Sequence, residues 1–355
     1  MITLVSTVFN DRSGLEVFFA AMAAQTRLPD EIVIVDAGSK DGTWELLQEE
    51  SVRTDRKWCL VALQERGCNV ARGRNLAIEK SGGALIVSTD IGCEWDAEWL
   101  AELVAPLERD SGVELVIGSW AVRSDTLRGD WAQVEWALRG DQSLVANSGS
   151  FGSSRSIAYR KSVWAGLGGY PEDLTLAADD TVFVLLYKKA GVKCAGAPVV
   201  RCYWHRHSTL RGFCKESFRY GLGDGEAGIR LFHSILIGGR MMLELLGLVG
   251  GLVCLFPGIP GAPWAGLALL GVSAASVGAK IIKMREAVGR LGKARVARPL
   301  LRLLAFTYGC KWHWLRGYSA GRRRGAKHCS DCRRRLRAMT PEFYRRNRQA
   351  TSRSE

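Results

Sequence analysis

The sequence predicts an α/β domain built on a mostly parallel sheet, followed by an apolar helical hairpin and a basic C-terminal segment. Three observations carry this prediction. Short β-branched runs alternate with helical patterns in the N-terminal part of the chain. Further on, the 35 residues of Leu245–Ala279 contain no formally charged side chain. Residues 285–355 hold 20 Lys and Arg against four Asp and Glu.

Length and composition limit the classes of protein to consider. The 355 residues, 39.0 kDa, suffice for one large or two modest domains. A hydrophobic fraction of 47% excludes a disordered chain. The net charge of +13 is uneven, because the first 284 residues carry a net charge of −3. This split disfavours a uniformly basic nucleic-acid binder, so no nucleic-acid partner is expected.

The α/β prediction rests on short, largely continuous apolar runs, which suit strands covered on both faces. Segments long enough for crossover helices lie between them, so we expect right-handed parallel connections with ligands bound beyond the carboxyl ends of the strands. The predicted strands are residues 2–9, 31–36, 58–63, 84–89 and 114–119, and the predicted helices are 14–25, 43–50, 69–80 and 96–108.

The uncharged stretch predicts two membrane spans, at about 241–256 and 262–282, separated by a Pro-Gly turn at residues 257–261. Arg240 precedes the stretch and Lys280 and Lys283 follow it, so both ends are expected to face the cytoplasm. A buried hairpin of a soluble protein and a re-entrant or interfacial hairpin are the alternatives.

The sequence therefore divides into residues 1–230, a hairpin over 231–285 and a basic amphipathic segment over 286–355. The basic segment is expected to contact anionic membrane lipids, with a solvated charge run as the alternative. Ten scattered cysteines favour a reducing compartment. Cys329 and Cys332 form half of a zinc motif, and their role stays open.

Three short motifs in the N-terminal part carry candidate chemistry. Asp36 ends a predicted strand and opens the turn that contains Ser39; Arg74 lies in a predicted helix; Asp90 follows another strand. A carboxylate at a strand end can accept from a nucleobase N–H or a ribose hydroxyl. The alternative for the first motif is an ordinary β–α turn with a helix cap at Ser39 or Asp41.

The order and spacing of these motifs over roughly residues 1–225 resemble the nucleotide-binding half of family 2 glycosyltransferases with the GT-A fold. The resemblance implies that Asp36, with Ser39 beside it, contacts the base, that Arg74 lies near the nucleotide, and that Asp90 is the first aspartate of the metal and ribose motif.

The same resemblance implies a Mg²⁺ or Mn²⁺ cofactor, with Asp90 as its ligand. Gly92 stands where the family has the second aspartate of the motif. A divalent cation at a diphosphate needs hard oxygen ligands, which the phosphates and water would then supply beside Asp90. Glu94 and Asp96 either assist or begin the next helix, where acidic residues are favourable.

An acidic pair, Asp179 and Asp180, follows the turn Gly166–Tyr170. In the resembled family such a pair lies on the acceptor side, and Asp180 would be the general base that deprotonates the acceptor hydroxyl. Helix capping is the alternative for both aspartates.

The segment Glu216–Tyr220 resembles the QxxRW motif of membrane-associated members, with glutamate and tyrosine replacing glutamine and tryptophan. Arg219, Tyr220 and His207 are therefore candidates for the acceptor and diphosphate side. An ordinary basic residue on the surface is an equally good interpretation of His207. Trp120 either lines the acceptor groove or packs in the core.

The resemblance implies an inverting transfer of a sugar from a nucleotide-sugar donor to a hydroxyl of a lipid-linked or polysaccharide acceptor. The enzyme would reside at the inner cell membrane with its catalytic domain in the cytoplasm. Gly92 favours the alternative of a non-catalytic, nucleotide-sugar-binding membrane scaffold. The sequence leaves the sugar, the nucleotide and the acceptor open.

Overall fold

The structure is a computed structural model that describes residues 1–122, 127–139, 147, 149–254 and 262–351. The chain forms two compact units. The α/β unit comprises residues 1–126, 141–206 and 324–355, and the helical unit comprises residues 127–140 and 207–323. The Pro-Gly turn predicted at residues 257–261 lies outside the described residues.

The secondary-structure elements are numbered along the whole chain. The strands are β1 (Ile2–Val8), β2 (Glu31–Asp36), β3 (Cys59–Gln64), β4 (Leu85–Ser88), β5 (Cys93–Trp95), β6 (Leu115–Ala121), β7 (Ile157–Arg160) and β8 (Cys194–Trp204). The helices are α1 (Arg12–Ala23), α2 (Thr43–Ser51), α3 (Val70–Lys80), α4 (Trp99–Arg109), α5 (Asp130–Arg139), α6 (Lys161–Leu167), α7 (Asp179–Ala190), α8 (Leu210–Ala227), α9 (Leu231–Cys254), α10 (Ala262–Lys283), α11 (Arg285–Lys293), α12 (Pro299–His328), α13 (Ser330–Ala338) and α14 (Pro341–Thr351).

The α/β unit is built on one sheet with the strand order β3-β2-β1-β4-β7-β6-β8-β5. The first four strands in this order run parallel, and β6 pairs in parallel with β8. Strand β7 is antiparallel to both β4 and β6, and β5 is antiparallel to β8. The predicted mostly parallel α/β fold is confirmed, and β2, β1 and β4 present their carboxyl ends at one edge.

The N-terminal elements lie within a few residues of their predicted bounds, because buried apolar runs and local caps specify them. The Asp11 side chain caps α1 by accepting from the Gly14 N–H, and the Asn69 side chain caps α3 by accepting from the Arg72 N–H. One difference concerns the predicted helix over 96–108. Asp96 N–H still donates to the Arg201 carbonyl in β8 (2.9 Å), and the helix therefore begins at Trp99.

In the helical unit, α8 and α12 touch through their backbones. A Cβ atom added at Gly221 would lie 2.0 Å from the Trp314 carbonyl oxygen, and one added at Gly317 would lie 2.1 Å from the Phe218 carbonyl oxygen. Only glycine permits this approach. The two helices carry matching G-x-x-x-G spacings at Gly221, Gly225, Gly317 and Gly321.

The predicted pair of apolar helices is confirmed, with a longer first member. Helix α9 begins at Leu231 rather than near Met241, and continues through Arg240 because the guanidinium bonds to Glu244 and Ser276. By length and composition alone, α9 and α10 are able to cross a membrane. Within the helical unit, only 17% of each apolar window is buried, and the exposed residues include Leu243 and Trp264.

A buried polar cluster joins α9, α10 and α12. The carboxylate of Glu244 accepts from Lys280 Nζ at 2.5 Å, from the Tyr308 hydroxyl at 2.7 Å and from Ser276 Oγ at 2.5 Å. The side chains of Glu244 and Lys280 are each 8% exposed. The negative charge of Glu244 on the first apolar helix is thus paired with a lysine on the second.

Replacing Lys280 with methionine is expected to destabilise the helical unit, because it removes the buried cation of Glu244 and leaves only the half-exposed Arg240 paired with that carboxylate. Breaking a buried ion pair on one side costs about 3–5 kcal/mol. The measurement is the melting temperature of the purified full chain in detergent.

The matched control is the double variant Glu244→Gln/Lys280→Met, which removes both charges. It is expected to melt closer to the wild type than the single variant does, since exchanging a whole buried pair for neutral groups is often nearly neutral. A double variant that melts well below Lys280→Met would contradict this account.

The last two helices belong to the α/β unit. The Tyr344 hydroxyl donates to Glu114 Oε1 at 3.1 Å, and Arg348 pairs with the same carboxylate. A Cβ added at Gly166 would lie 2.7 Å from the Tyr344 ring, so α14 packs closely on α6. Part of the basic C-terminal segment is therefore a structural component of the α/β unit.

Candidate functional site

Two predicted carboxylates lie at the carboxyl edge of the sheet. Asp36 ends β2 and pairs in register with Val8 of β1, and Asp90 follows the end of β4, the other neighbour of β1. Adjacent strands lie about 4.8 Å apart, so β2 and β4 are separated by about 10 Å. The edge is where ligands bind in open α/β sheets.

Asp36 organises the turn that follows β2. Its fully buried carboxylate accepts from the N–H groups of Gly38 and Ser39, each at 3.0 Å, and from Gln64 Nε2 at 2.9 Å. The Ser39 hydroxyl also donates to it and accepts from the Asn10 N–H at 2.8 Å. The φ of +95° at Gly38 favours glycine. The predicted contact of Asp36 and Ser39 with a base stays a prediction.

Arg74 joins two of the motifs that the sequence singled out. It lies on α3 with only 5% of its side chain exposed, donates from Nη2 to Asp90 at 2.6 Å, and donates from Nη1 to Asp179. Asp179 is 105 residues away along the chain. One guanidinium therefore connects the end of β4 to the start of α7.

The pKa values of this group reflect burial and charge together. Burial lowers the pKa of Arg74, but Asp179 and Asp90 outweigh that effect and raise it above its ordinary value. Burial raises the pKa of Asp179, Arg74 opposes the shift, and Asp180 and Asp90 add to it. The ion pair thus holds Asp179 in a fixed position and offsets part of the rise in its pKa that burial causes.

Asp180 differs from Asp179 in its surroundings. It is only partly buried, and its carboxylate accepts from Ser153 Oγ at 3.4 Å and from Thr181 Oγ1 at 3.3 Å. Among the described residues no guanidinium forms an ion pair with it. Ala178, at φ +73°, turns the chain into α7. Of the two aspartates, Asp180 is the one better placed to take a proton.

Asn75 is a site residue that the sequence reasoning missed. Its Nδ2 donates to the Tyr170 carbonyl at 2.9 Å, and its Oδ1 accepts from the Tyr170 N–H at 2.8 Å and from Trp164 Nε1 at 2.9 Å. Arg74 and Asn75 therefore hold two parts of the segment 170–179. The adjacent polar pair inside an otherwise helical pattern was the available signal.

Arg155 is a second missed residue. Its guanidinium carbon lies 3.6 Å from the centroid of the Trp204 ring and 5.6 Å from that of Trp120, and its Nε lies 3.8 Å from Asp90 Oδ2. Arg206 lies 3.9 Å from the Trp204 centroid. Trp120 thus lies beside the site. No pattern in the sequence linked these residues, which come from three separate segments.

The residues around Asp90 do not fit a divalent cation held by the protein. Both oxygens of Asp90 face guanidinium groups, and the described residues contain no group of three His, Cys, Asp or Glu able to hold a metal. Glu94 pairs with His205 at 3.0 Å, and Asp96 accepts from the Tyr203 hydroxyl at 3.1 Å.

Three candidates belong to the helical unit. Arg219 and Tyr220 are exposed on α8, where the Tyr220 hydroxyl donates to Glu216 at 3.1 Å. The His207 ring lies edge-on to Phe213, with centroids 5.4 Å apart, and its Nε2 lies 3.9 Å from Glu216. Their roles on the acceptor and diphosphate side stay predictions.

The C-terminal helices hold the segment that leads to Asp179 and Asp180. Arg335 donates to the carbonyls of Leu167 (2.9 Å) and Gly169. Asp173 accepts at Oδ2 from the Cys332 N–H at 3.0 Å. Burial raises the pKa of Cys332 to about 12, so its thiol stays protonated.

Replacing Arg335 with methionine is expected to loosen this segment, because two buried carbonyl groups lose a charged donor. Hydrogen bonds to charged groups contribute about 1.5–3 kcal/mol, so the melting temperature is expected to fall by roughly 5–10 °C. The control is Arg334→Met, whose side chain is 74% exposed and whose loss is expected to shift melting by under about 2 °C. Equal shifts for both variants would contradict the assignment.

The comparisons with known proteins agree with this geometry. Residues 3–164 match the family model described as Glycosyl transferase family 2. This range contains Asp36, Arg74, Asp90 and Arg155. The chain is also 30% identical over 120 residues to glycosyltransferase AglE of Haloferax volcanii, an alignment that covers 33% of this chain and 38% of that protein.

A solved structure shares the fold of this chain. The mannosyltransferase PcManGT from Pyrobaculum calidifontis, in complex with GDP-Man and Mn²⁺, is 20% identical with a TM-score of 0.51. The match covers 90% of this chain and 86% of that one. The predicted GT-A fold is confirmed by this likeness.

Proposed function

We propose that this chain transfers a sugar from a nucleoside-diphosphate sugar to a hydroxyl of a lipid-linked or polysaccharide acceptor at a membrane, with inversion of the anomeric carbon. The family 2 domain supports sugar transfer from nucleotide sugars. The observation that carries the proposal is the bridge by Arg74, which joins Asp90 on the donor side to Asp179 on the acceptor side.

In the proposed reaction, the Asp180 carboxylate takes the proton of the acceptor hydroxyl as that oxygen attacks the anomeric carbon. The new carbon–oxygen bond forms on the face opposite the diphosphate. The bond from the anomeric carbon to the diphosphate oxygen breaks, and its electron pair leaves with the nucleoside diphosphate. Asp179, held by Arg74, positions the start of α7 so that Asp180 faces the acceptor.

On the donor side, the turn shaped by Asp36 and Ser39 would receive the base, and Arg74 with Asp90 would lie at the diphosphate and ribose. The predicted Mg²⁺ or Mn²⁺ on Asp90 has only one carboxylate available and two guanidinium groups beside it. The proposed reaction therefore includes no step at a metal ion.

The membrane part of the proposal rests on α9 and α10. A core helix of a soluble protein buries most of its apolar surface, whereas these windows are 17% buried within the described residues. Inserted in the inner membrane, the hairpin would keep the catalytic domain on the cytoplasmic side among anionic lipids. It would raise the local concentration of a membrane-bound acceptor.

A non-catalytic nucleotide-sugar-binding scaffold is the second candidate, favoured by Gly92 in place of the second aspartate. The test incubates membranes containing the full chain with UDP-, GDP- and TDP-sugars and measures nucleotide release and labelled glycan. A donor that gives release above the Asp180→Asn background supports transfer. Binding of donors without release above that background supports the scaffold.

A further inference from the structure

The surroundings of Asp90 are cationic on both sides. Its Oδ1 lies 2.6 Å from Arg74 Nη2, and its Oδ2 lies 3.8 Å from Arg155 Nε. A hard divalent cation binds where anionic or neutral oxygens converge, and like charges at these distances oppose it. Arg74 is nine-tenths buried and anchored on α3, so its charge stays beside Asp90.

Gly92 occupies the position that would supply a second carboxylate, and it has no side chain. Gly92 is exposed, and a Cβ added there would meet no heavy atom within 4 Å. Its φ lies outside the left-handed region, so the backbone accepts any residue. The position therefore has room for an aspartate that the sequence does not provide.

Contacts with neighbouring side chains hold the Arg155 guanidinium in an orientation suited to binding a phosphate group. The indole of Trp204 supports the face of its guanidinium at 3.6 Å, and Nη1 donates to Ser153 Oγ at 3.1 Å. Stacking engages the face of a guanidinium, whereas phosphate oxygens bond to its edge. Arg206, on the same indole, adds a second positive charge.

We propose that Arg155 neutralises the diphosphate of the donor in this chain, and that nucleoside diphosphates bind here without a divalent cation. The inference rests on the proposed function. It deepens that function by assigning the charge compensation of the leaving group to a side chain of the protein, with Arg74 and Arg206 beside it.

The first test is calorimetric titration of the purified full chain in detergent with UDP, GDP and TDP, in Mn²⁺ and in EDTA. For the nucleotide that binds most tightly, the affinity in Mn²⁺ and the affinity in EDTA are expected to differ by less than about threefold. Arg155→Met is expected to weaken this binding by about ten- to a hundredfold, the loss typical of a hydrogen-bonded charge. Arg155→Lys should fall between, because it keeps the charge without the planar fork.

The control for charge loss is Arg27→Met, at a surface arginine that pairs with Asp30 and Glu108. Its nucleotide affinity is expected to equal that of the wild type. If Arg155→Met and Arg27→Met both bind as the wild type does, the assignment of Arg155 is wrong.

The second test adds the missing carboxylate. Gly92→Asp is expected to bind Mn²⁺ in the presence of nucleotide, measured by electron paramagnetic resonance, and to bind the nucleotide about tenfold more tightly in Mn²⁺ than in EDTA. The wild type should show no protein-bound Mn²⁺. Wild-type nucleotide binding that disappears in EDTA overturns the inference and leaves the proposed function standing. Absence of binding of UDP, GDP and TDP alike in both conditions overturns the proposed function as well.

Discussion

Asp180→Asn is expected to lose about 10²–10⁴-fold in the turnover of sugar transfer, because an amide cannot take the proton of the acceptor hydroxyl. Donor binding should stay within about threefold of the wild type, since the proposed role of Asp180 is at the acceptor hydroxyl and not at the donor. The measurements are labelled-sugar transfer and nucleotide titration on the same preparation. Full transfer by the folded variant would contradict the assignment of the base.

Two comparisons make this result specific. Asp110→Asn changes an aspartate whose side chain is 54% exposed and which pairs with Lys193, so it is expected to transfer sugar at the wild-type rate. Asp180→Glu keeps the carboxylate but displaces it, and should recover part of the lost turnover. If asparagine and glutamate variants are equally inactive while both bind donor, position 180 acts by shape and not by accepting a proton.

Arg74→Met is expected to lower the melting temperature by on the order of 10 °C, because it leaves the buried carboxylate of Asp179 without its cation. Transfer should also fall, since Asp90 and the start of α7 lose the side chain that joins them. The measurement is thermal unfolding of the full chain in detergent, monitored by circular dichroism.

The pH dependence of this variant distinguishes an ion pair from simple packing. Burial already raises the pKa of Asp179, and removing Arg74 raises it further. A carboxyl group whose pKa is higher in the folded than in the unfolded state destabilises the fold at pH values above its unfolded-state pKa. This cost disappears at lower pH, where the group is protonated in both states. The deficit of Arg74→Met should therefore shrink when the pH falls from neutral to about 4. A deficit independent of pH would contradict the ion-pair account.

Much of the fold was accessible from sequence. Strands β1 to β4 and helices α1 to α3 follow from apolar periodicity and from caps such as Asp11 and Asn69, which act over a few residues. Strand β5 was missed because three residues carry little pattern, and its pairing with β8 is a long-range contact. The packing of α13 and α14 in the α/β unit was missed for a similar reason, because the sequence of a basic helix does not identify the surface on which it packs.

Within the site, the sequence identified Asp36, Asp90 and the pair at 179 and 180 as residues of interest. It did not assign their partners. Asn75 and Arg155 act through contacts with Tyr170 and Trp204, which lie in other segments. Single-sequence reasoning has no access to such contacts unless a motif records them.

The sequence by itself determined the α/β alternation, the apolar helix pair and the motif order of a family 2 glycosyltransferase, because periodicity and turn chemistry are local. Only the tertiary structure decided which charges meet. Arg74 reaches Asp179 across 105 residues of chain, and Arg335 reaches Leu167 across 168. Ion pairs and helix docking of this kind depend on how distant segments pack, and local pattern does not specify that packing.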